Sequence, residues 1–110
     1  MYSRQANPTT DALATAVADL EDAEAGLAFS SGMAAIAAAV FAHATGGEVL
    51  ASEALYGGSI QLLADIGPRH GVRTRFVPTW DAGSVARAIG PETRVLLVET
   101  ISNPLLRVAD

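Results

Sequence analysis

Apolar and polar positions along this chain follow a helical period in some stretches and form short strand-like runs in others. Apolar residues recur at helical spacing from Thr9 or Thr10, with Thr10 as the predicted N-cap, to about Ala23. Glycine and proline separate the stretches that follow, and Gly67-Pro68 is expected to close the third helix. The later predicted elements are strands at 26–30, 48–52, 72–77 and 94–99, and helices at 33–44, 59–66 and 81–88.

Strands that alternate with helices are typical of βαβ units. Such units build a mostly parallel sheet with helices on its faces. The sequence therefore predicts an α/β fold. With 110 residues, the chain has room for one domain or part of one.

Composition narrows the classes of partner. The chain is 50% hydrophobic and only 5% aromatic, which favours closely packed small side chains over a disordered tail. Its net charge is −5 and its arginines are scattered, so there is no basic stripe to bind nucleic acid or an anionic membrane. We expect neither partner.

Further absences exclude several kinds of site and location. The chain has no cysteine, which excludes disulfides, thiolate metal sites and a cysteine nucleophile. His43 and His70 lack ligand spacing, so we expect no metal. The N-terminus does not resemble a secretory signal, and the longest apolar run, at 33–42, is well short of a membrane span. These features predict a soluble, cytoplasmic protein.

The segment Ser30-Ser31-Gly32-Met33 is the first candidate for binding chemistry. In a parallel sheet, ligands sit at the carboxyl ends of strands, and a glycine there lets a phosphate approach the N–H groups of the next helix. The alternative is that Gly32 only makes a strand-to-helix turn. The dinucleotide fingerprint of spaced glycines is absent.

Two further candidates follow later strands. Tyr56, ahead of Gly57-Gly58, could stack on a planar cofactor, or it could be a loop tyrosine packed against the domain. Asn103 could donate to a ring oxygen or a substrate carboxylate, or Asn-Pro could simply build a turn. Glu99 places a carboxylate at the same sheet edge, or it could simply hydrogen-bond within the loop at the end of its strand.

The N-terminus and the missing lysine complete the candidate chemistry. Tyr2 and Arg4 precede any regular element, and together they could bind a phosphate or form a disordered polar terminus. All seven basic residues are arginines. Without a lysine, the chain cannot form a Schiff base with a carbonyl cofactor through a side chain.

In order and spacing, four motifs together resemble the Cys/Met-metabolism pyridoxal-phosphate enzymes. The family includes cystathionine γ-synthases, cystathionine lyases, O-acetylhomoserine and O-succinylhomoserine sulfhydrylases and methionine γ-lyases. The motifs are Tyr-Ser-Arg-x-x-Asn-Pro-Thr at 2–9, Ser-Ser-Gly-Met-Ala-Ala at 30–35, Tyr-Gly-Gly-Ser at 56–59 and Glu-Thr-x-Ser-Asn-Pro-Leu at 99–105.

The resemblance implies pyridoxal 5′-phosphate as cofactor and an amino acid as substrate. Gly32 and Met33 would bind the cofactor phosphate through their N–H groups, and Tyr56 would stack on the ring and act in proton transfer. Asn103 would lie near the ring oxygen or the substrate carboxylate. Tyr2 and Arg4 would reach the phosphate held by a neighbouring subunit.

The resemblance also implies a fold and an assembly. Residues 1–9 would be an arm to a neighbouring subunit, and residues 10–110 part of the three-layer large domain of fold-type-I, aspartate-aminotransferase-like enzymes. The assembly would be a homotetramer, a dimer of dimers. The family's Schiff-base lysine, pyridine-nitrogen aspartate and carboxylate-binding arginine would lie beyond Asp110, so the 110-residue chain alone would be inactive.

The implied reaction makes or breaks a C–S bond of an amino acid, by γ-replacement on an activated homoserine or by β- or γ-elimination. Two alternatives come from other classes. One is a non-catalytic module that binds a phosphorylated ligand or a partner chain. The other, a nicotinamide-dependent oxidoreductase, is disfavoured by the missing glycine fingerprint.

Overall fold

The computed structural model describes residues 2–3 and 5–110. The described residues form two compact units, one that ends at residue 35 and one of residues 36–110. The helices and strands are α1 Pro8–Leu20, α2 Gly32–Ala44, β1 Glu48–Ser52, α3 Gly57–Gln61, β2 Arg73–Val77, α4 Ala82–Ala88 and β3 Thr93–Leu97.

The second unit holds a parallel sheet of three strands in the order β2-β1-β3. In the register, Leu50 of β1 lies opposite Arg75 of β2 and Leu96 of β3. Because the helical connections return each strand in the same direction, the three carboxyl ends meet at one edge of the sheet. The predicted α/β fold with a parallel sheet is confirmed.

The core of the second unit lies on both faces of β1, as expected for a central strand. Leu50 packs with Val77 and Val85 on one face. The buried residues of the other cluster are Val40, Ala44, Val49, Ala51, Leu55, Leu63 and Val72. Successive residues of β1 therefore serve opposite faces, which fixes its register.

Helix α1 begins earlier than predicted. Its N-cap is Asn7, whose side-chain Oδ1 accepts a hydrogen bond from the Thr9 N–H at 2.9 Å, and Pro8 follows at the first helical position. The Thr10 hydroxyl instead donates to the Asn7 carbonyl. The prediction of Thr10 as cap was wrong because Pro8 tolerates the first turn, where its missing N–H costs nothing.

The predicted strand at residues 26–30 is not formed. None of the three strands in the described residues pairs with this segment, and Leu27 is 85% exposed. A short apolar run makes a strand only where a partner supplies the ladder. Gly26 instead lies against α1, where an added Cβ would stand 2.4 Å from the Ala14 carbonyl oxygen.

The third helix also differs from its prediction. It starts at Gly57, and the path then continues as a π-helical segment, Leu62–Ile66, and a 3₁₀ turn, Gly67–His70. Pro68 does not end this helical path, because the proline stands at the start of the 3₁₀ turn. Gly71, with φ of 72°, terminates the path in the left-handed conformation that glycine allows.

Candidate active site

The site in the second unit is built from the loops that leave the carboxyl ends of β1 and β3. Tyr56 ends the loop after β1 and caps α3, with its carbonyl accepting the N–H groups of Ser59 and Ile60 at 2.9 and 3.1 Å. The tyrosine is 64% exposed. Its ring is therefore available to a planar ligand at this sheet edge.

Glu99 connects this loop to the loop after β3. Its Oε1 accepts a hydrogen bond from the Tyr56 N–H at 2.7 Å. The sequence pattern predicted Glu99 at this edge of the sheet but did not predict its partner. The sequence indicates that β1 and β3 both end at this edge. It does not give the strand order, which makes the two strands neighbours.

A buried pair of hydroxyls supports the base of the β1 loop. The Thr79 Oγ1 donates to the Ser52 Oγ at 2.7 Å, and both residues are buried. The same Ser52 Oγ accepts the Ala54 N–H at 3.1 Å. Because each buried polar atom of this pair has a partner, the loop leaves the sheet in a defined direction.

Asn103 lies in a turn that follows β3. The buried Ser102 holds this turn, because its N–H donates to the Arg107 carbonyl and its hydroxyl accepts the Arg107 N–H, each at 2.9 Å. An antiparallel bridge pairs Ile101 with Val108. Asn103 is exposed at this turn, so its carboxamide is open to a ligand while the backbone forms the turn expected of Asn-Pro.

In the first unit, the start of α2 is the candidate phosphate site. The Ser31 Oγ accepts the Ala34 N–H, and the Ser31 carbonyl accepts the Ala35 N–H, each at 3.1 Å. Gly32 is exposed, and no atom lies within 4 Å of a Cβ built on it. It precedes the first internal hydrogen bond of the helix, where N–H groups point outward.

The charge at this helix start also suits an anion. The first turn of α2 has no acidic residue, whereas the first turn of α1 contains Asp11. The positive end of the α2 dipole is thus not offset by a carboxylate of its own turn. An open glycine backbone and an uncompensated positive end fit a phosphate group.

The N-terminal candidates are only partly described. Tyr2 is 64% exposed, and its carbonyl accepts the N–H groups of Gln5 and Ala6 at 2.8 and 3.2 Å. Arg4 lies outside the described residues. Tyr2, Gly32 and Met33 belong to the first unit, and Tyr56 and Asn103 to the second.

Other side chains with possible chemistry have packing partners. The His70 ring lies 4.9 Å from the Phe41 ring, and the Arg107 guanidinium lies 4.0 Å from the centre of the Trp80 ring. Within residues 2–3 and 5–110, no three His, Asp or Glu side chains group to hold a metal. Over the same residues, no helix is both long and apolar enough to cross a bilayer.

Comparison with known proteins shows the family. The profile of the Cys/Met metabolism PLP-dependent enzymes matches residues 1–110. The chain therefore belongs to this family, and pyridoxal phosphate is the family's cofactor.

Relatives of known name agree with this membership. Cystathionine γ-lyase and cystathionine β-lyase MetC of Bacillus subtilis are each 43% identical to this chain over 109 residues, which is 99% of it. The match covers 29% and 28% of those two proteins. The chain thus spans less than a third of their length.

Solved structures agree in fold. The O-acetylhomoserine sulfhydrylase of Wolinella succinogenes is 39% identical, with a TM-score of 0.87 over 94% of this chain and 30% of its own. A putative O-acetylhomoserine (thiol)-lyase of Campylobacter jejuni, solved with a pyridoxyl-lysine monophosphate, is 32% identical, with a TM-score of 0.87 over 100% of this chain and 27% of its own.

Proposed function

We propose that this chain forms part of the large domain of a pyridoxal-phosphate enzyme that makes or breaks a C–S bond of an amino acid. The reaction is a γ-replacement on an activated homoserine or a β- or γ-elimination. The observation that carries the proposal is the family match over residues 1–110. Relatives named as cystathionine lyases and as an O-acetylhomoserine sulfhydrylase support both reaction types.

In this proposal, the start of α2 binds the cofactor phosphate. Backbone N–H groups of Gly32 and Met33 donate to phosphate oxygens, and the helix dipole adds to the attraction. The open space beside Gly32 supports this role, since a phosphate must approach the backbone closely. The absence of an acidic residue in that turn supports it further.

Tyr56 and Asn103 act on the cofactor ring and the substrate. The Tyr56 ring stacks on the cofactor plane, and its hydroxyl moves a proton during the reaction. The Asn103 carboxamide donates to the ring oxygen or to the substrate carboxylate. When bound, the cofactor supplies an electron sink for the substrate, and the protein supplies orientation and electrostatics.

The proposal extends to assembly and location. Residues 1–9 form an arm whose Tyr2 and Arg4 bind the phosphate held by a neighbouring subunit, in a homotetramer built as a dimer of dimers. Tyr2 is exposed, as such a reach requires. We place the enzyme in the cytoplasm, in keeping with a chain that lacks cysteine. Light scattering of the full-length protein tests the tetramer, and a monomer would refute it.

The reaction is tested on the full-length protein that contains this chain. Cystathionine, and O-acetylhomoserine with sulfide, are offered separately with and without pyridoxal phosphate. We expect cofactor-dependent turnover of at least one of them. Bound cofactor without turnover of either would overturn the proposed reaction and favour a non-catalytic module.

The 110-residue chain is the matched control. Because it has no lysine, it is expected to be inactive and to gain no side-chain adduct when pyridoxal phosphate is reduced in place with borohydride. A stable adduct on a residue other than the α-amino group would contradict this account.

A further inference from the structure

We propose that Glu99 is a positioning residue, whose carboxylate holds the backbone of Tyr56 and thereby fixes where the tyrosine ring stands at the sheet edge. The proposal rests on the proposed function, because that function gives the ring its task. It assigns a role to a side chain that itself need not touch the cofactor.

The first support is the geometry of the contact. Glu99 Oε1 accepts the Tyr56 N–H at 2.7 Å, although the two residues are 43 positions apart in sequence. The bond acts on the same residue whose ring is exposed, so it constrains the Cα from which the ring projects. A carboxylate acceptor makes this a charge-assisted bond, the stronger kind.

The second support is the frame from which the carboxylate reaches. Glu99 follows β3 by two residues, and β3 pairs directly with β1, where Ala51 lies opposite Leu97. Glu99 and Tyr56 thus lie in loops that follow adjacent strands of one sheet. A carboxylate fixed to one strand end can hold the loop that leaves its neighbour.

The third support is how little packing restrains the Tyr56 side chain itself, although the residues before it are held by the Glu53 N–H to Val77 carbonyl bond and by the buried Leu55. Tyr56 is 64% exposed, so its ring gains little packing from the described residues around it. Gly57 follows, and no atom lies within 4 Å of a Cβ built there. Glycine also leaves the backbone more freedom than any other residue. A bond from Glu99 therefore supplies order at Tyr56 that packing of its own ring does not.

The experiment begins with amide hydrogen exchange of the full-length protein that contains this chain, followed at the Tyr56 and Leu50 amides. Removing the acceptor in Glu99→Ala should speed exchange at Tyr56 by about fivefold or more, with Leu50 in the buried strand unchanged. Glu99→Gln keeps an acceptor without the charge and should speed exchange at Tyr56 by only about twofold. The control, Glu53→Ala, removes an exposed carboxylate of the same loop and should leave Tyr56 as in the unchanged chain.

Two exchange results would overturn the proposal. One is unchanged exchange at Tyr56 in Glu99→Ala. The other is equal acceleration at Tyr56 and Leu50, which would mean a loss of overall stability and not of a local restraint. If Glu99→Ala does not fold, Glu99→Gln decides: faster exchange confined to Tyr56 supports the proposal, and unchanged exchange overturns it.

The second measurement is the circular dichroism band of pyridoxal phosphate bound to the full-length protein. Glu99→Ala should reduce this band, Glu99→Gln should restore most of it, and Glu53→Ala should leave it unaltered. A band unaffected by Glu99→Ala would overturn the positioning role. A full-length protein that gives no cofactor band at all would instead refute the proposed function, while the exchange result would still report on the Glu99 contact.

Discussion

Replacing Glu48 with glutamine should weaken the sheet at its amino-terminal edge, opposite the site. The Glu48 Oε1 accepts a hydrogen bond from the Arg75 Nη2 at 2.7 Å and another from the Thr93 Oγ1 at 3.1 Å. These contacts join β1 to both neighbouring strands. The Arg75 guanidinium also donates to the Ala88 carbonyl at 2.6 Å, at the end of α4.

The size of the effect follows from the exposure of the pair. The Glu48 side chain is 17% exposed and the Arg75 side chain 48%, so solvent screens the pair only in part. Exposed ion pairs contribute up to about 1 kcal/mol, and hydrogen bonds to charged groups somewhat more. We expect Glu48→Gln to lower the free energy of unfolding by about 1 kcal/mol at neutral pH. For a domain of this size, that is a fall in Tm of about 4 °C.

The effect should depend on pH in a defined direction. The hydrogen bond from Arg75 lowers the pKa of Glu48 below its ordinary value, with the Thr93 hydroxyl adding to the shift. A carboxyl whose pKa is lower in the folded state stabilises that state fully above the ordinary value. This stabilisation is lost as the pH falls through the ordinary range and then through the folded-state pKa. The difference between the two proteins should therefore shrink in acid.

Thermal unfolding of both proteins, followed by circular dichroism from neutral to acidic pH, measures this difference. Glu92→Gln is the matched control, because Glu92 bonds Arg73 at 3.0 Å but both side chains are more than 60% exposed. The control should change stability by less than about 0.5 kcal/mol. A Glu48→Gln effect equal to the control, or one that is the same at acidic and neutral pH, would refute the reasoning.

Three further predictions concern the core, one close backbone contact and the site. Leu63→Ala should lower the free energy of unfolding in urea by about 2–5 kcal/mol, because Leu63 is fully buried. Ile66→Ala, on the same π-helical segment but 41% exposed, should lower it far less, and equal losses would contradict this core. Gly26→Ala should lower the free energy of unfolding by about 1–3 kcal/mol in thermal unfolding, because the added Cβ would stand 2.4 Å from the Ala14 carbonyl oxygen. The gain in stability that is usual when alanine replaces an unhindered glycine would contradict this contact. In the full-length protein, Tyr56→Phe should lower kcat more than it lowers stability, and unchanged kinetics would remove its catalytic role.

Sequence periodicity predicted β1, β2 and β3 to within two residues at each end, because each strand is a short apolar or alternating run bounded by glycine, proline or a charged turn. It did not predict their order. That order depends on long-range pairing, which a local pattern does not contain. The same limit produced the false strand at 26–30, whose residues suit a strand but have no partner among the described strands.

The candidate site divides along the same line. Tyr56 and Asn103 were found from their places after apolar strands, and the structure leaves both exposed there. The Glu99 contact was not found, since it depends on β1 and β3 being adjacent. The Thr79 and Ser52 pair was missed because it depends on β1 and β2 being adjacent. The sequence predicted features that depend on one element alone. It did not predict contacts between loops of different strands, because those contacts depend on the strand order.

The role of α2 in binding the phosphate is the central claim, and removing a single N–H group tests it most directly. Gly32→Pro deletes the N–H at the first helical position, where proline is tolerated, and Gly32→Ala adds a Cβ but keeps the N–H. Gly32 does not have the positive φ of Gly46 and Gly71, so its φ does not itself require glycine. The two variants differ in the N–H group and in the ring Cδ that replaces it, so their comparison tests whether this backbone position contacts the phosphate.

The measurement is the dissociation constant of pyridoxal phosphate from each variant of the full-length protein, with helix content checked by circular dichroism. The account predicts that Gly32→Pro binds the cofactor at least about tenfold more weakly than Gly32→Ala, the loss expected for one bond to a charged phosphate. Equal affinities of the two variants, with the helix intact, would contradict it.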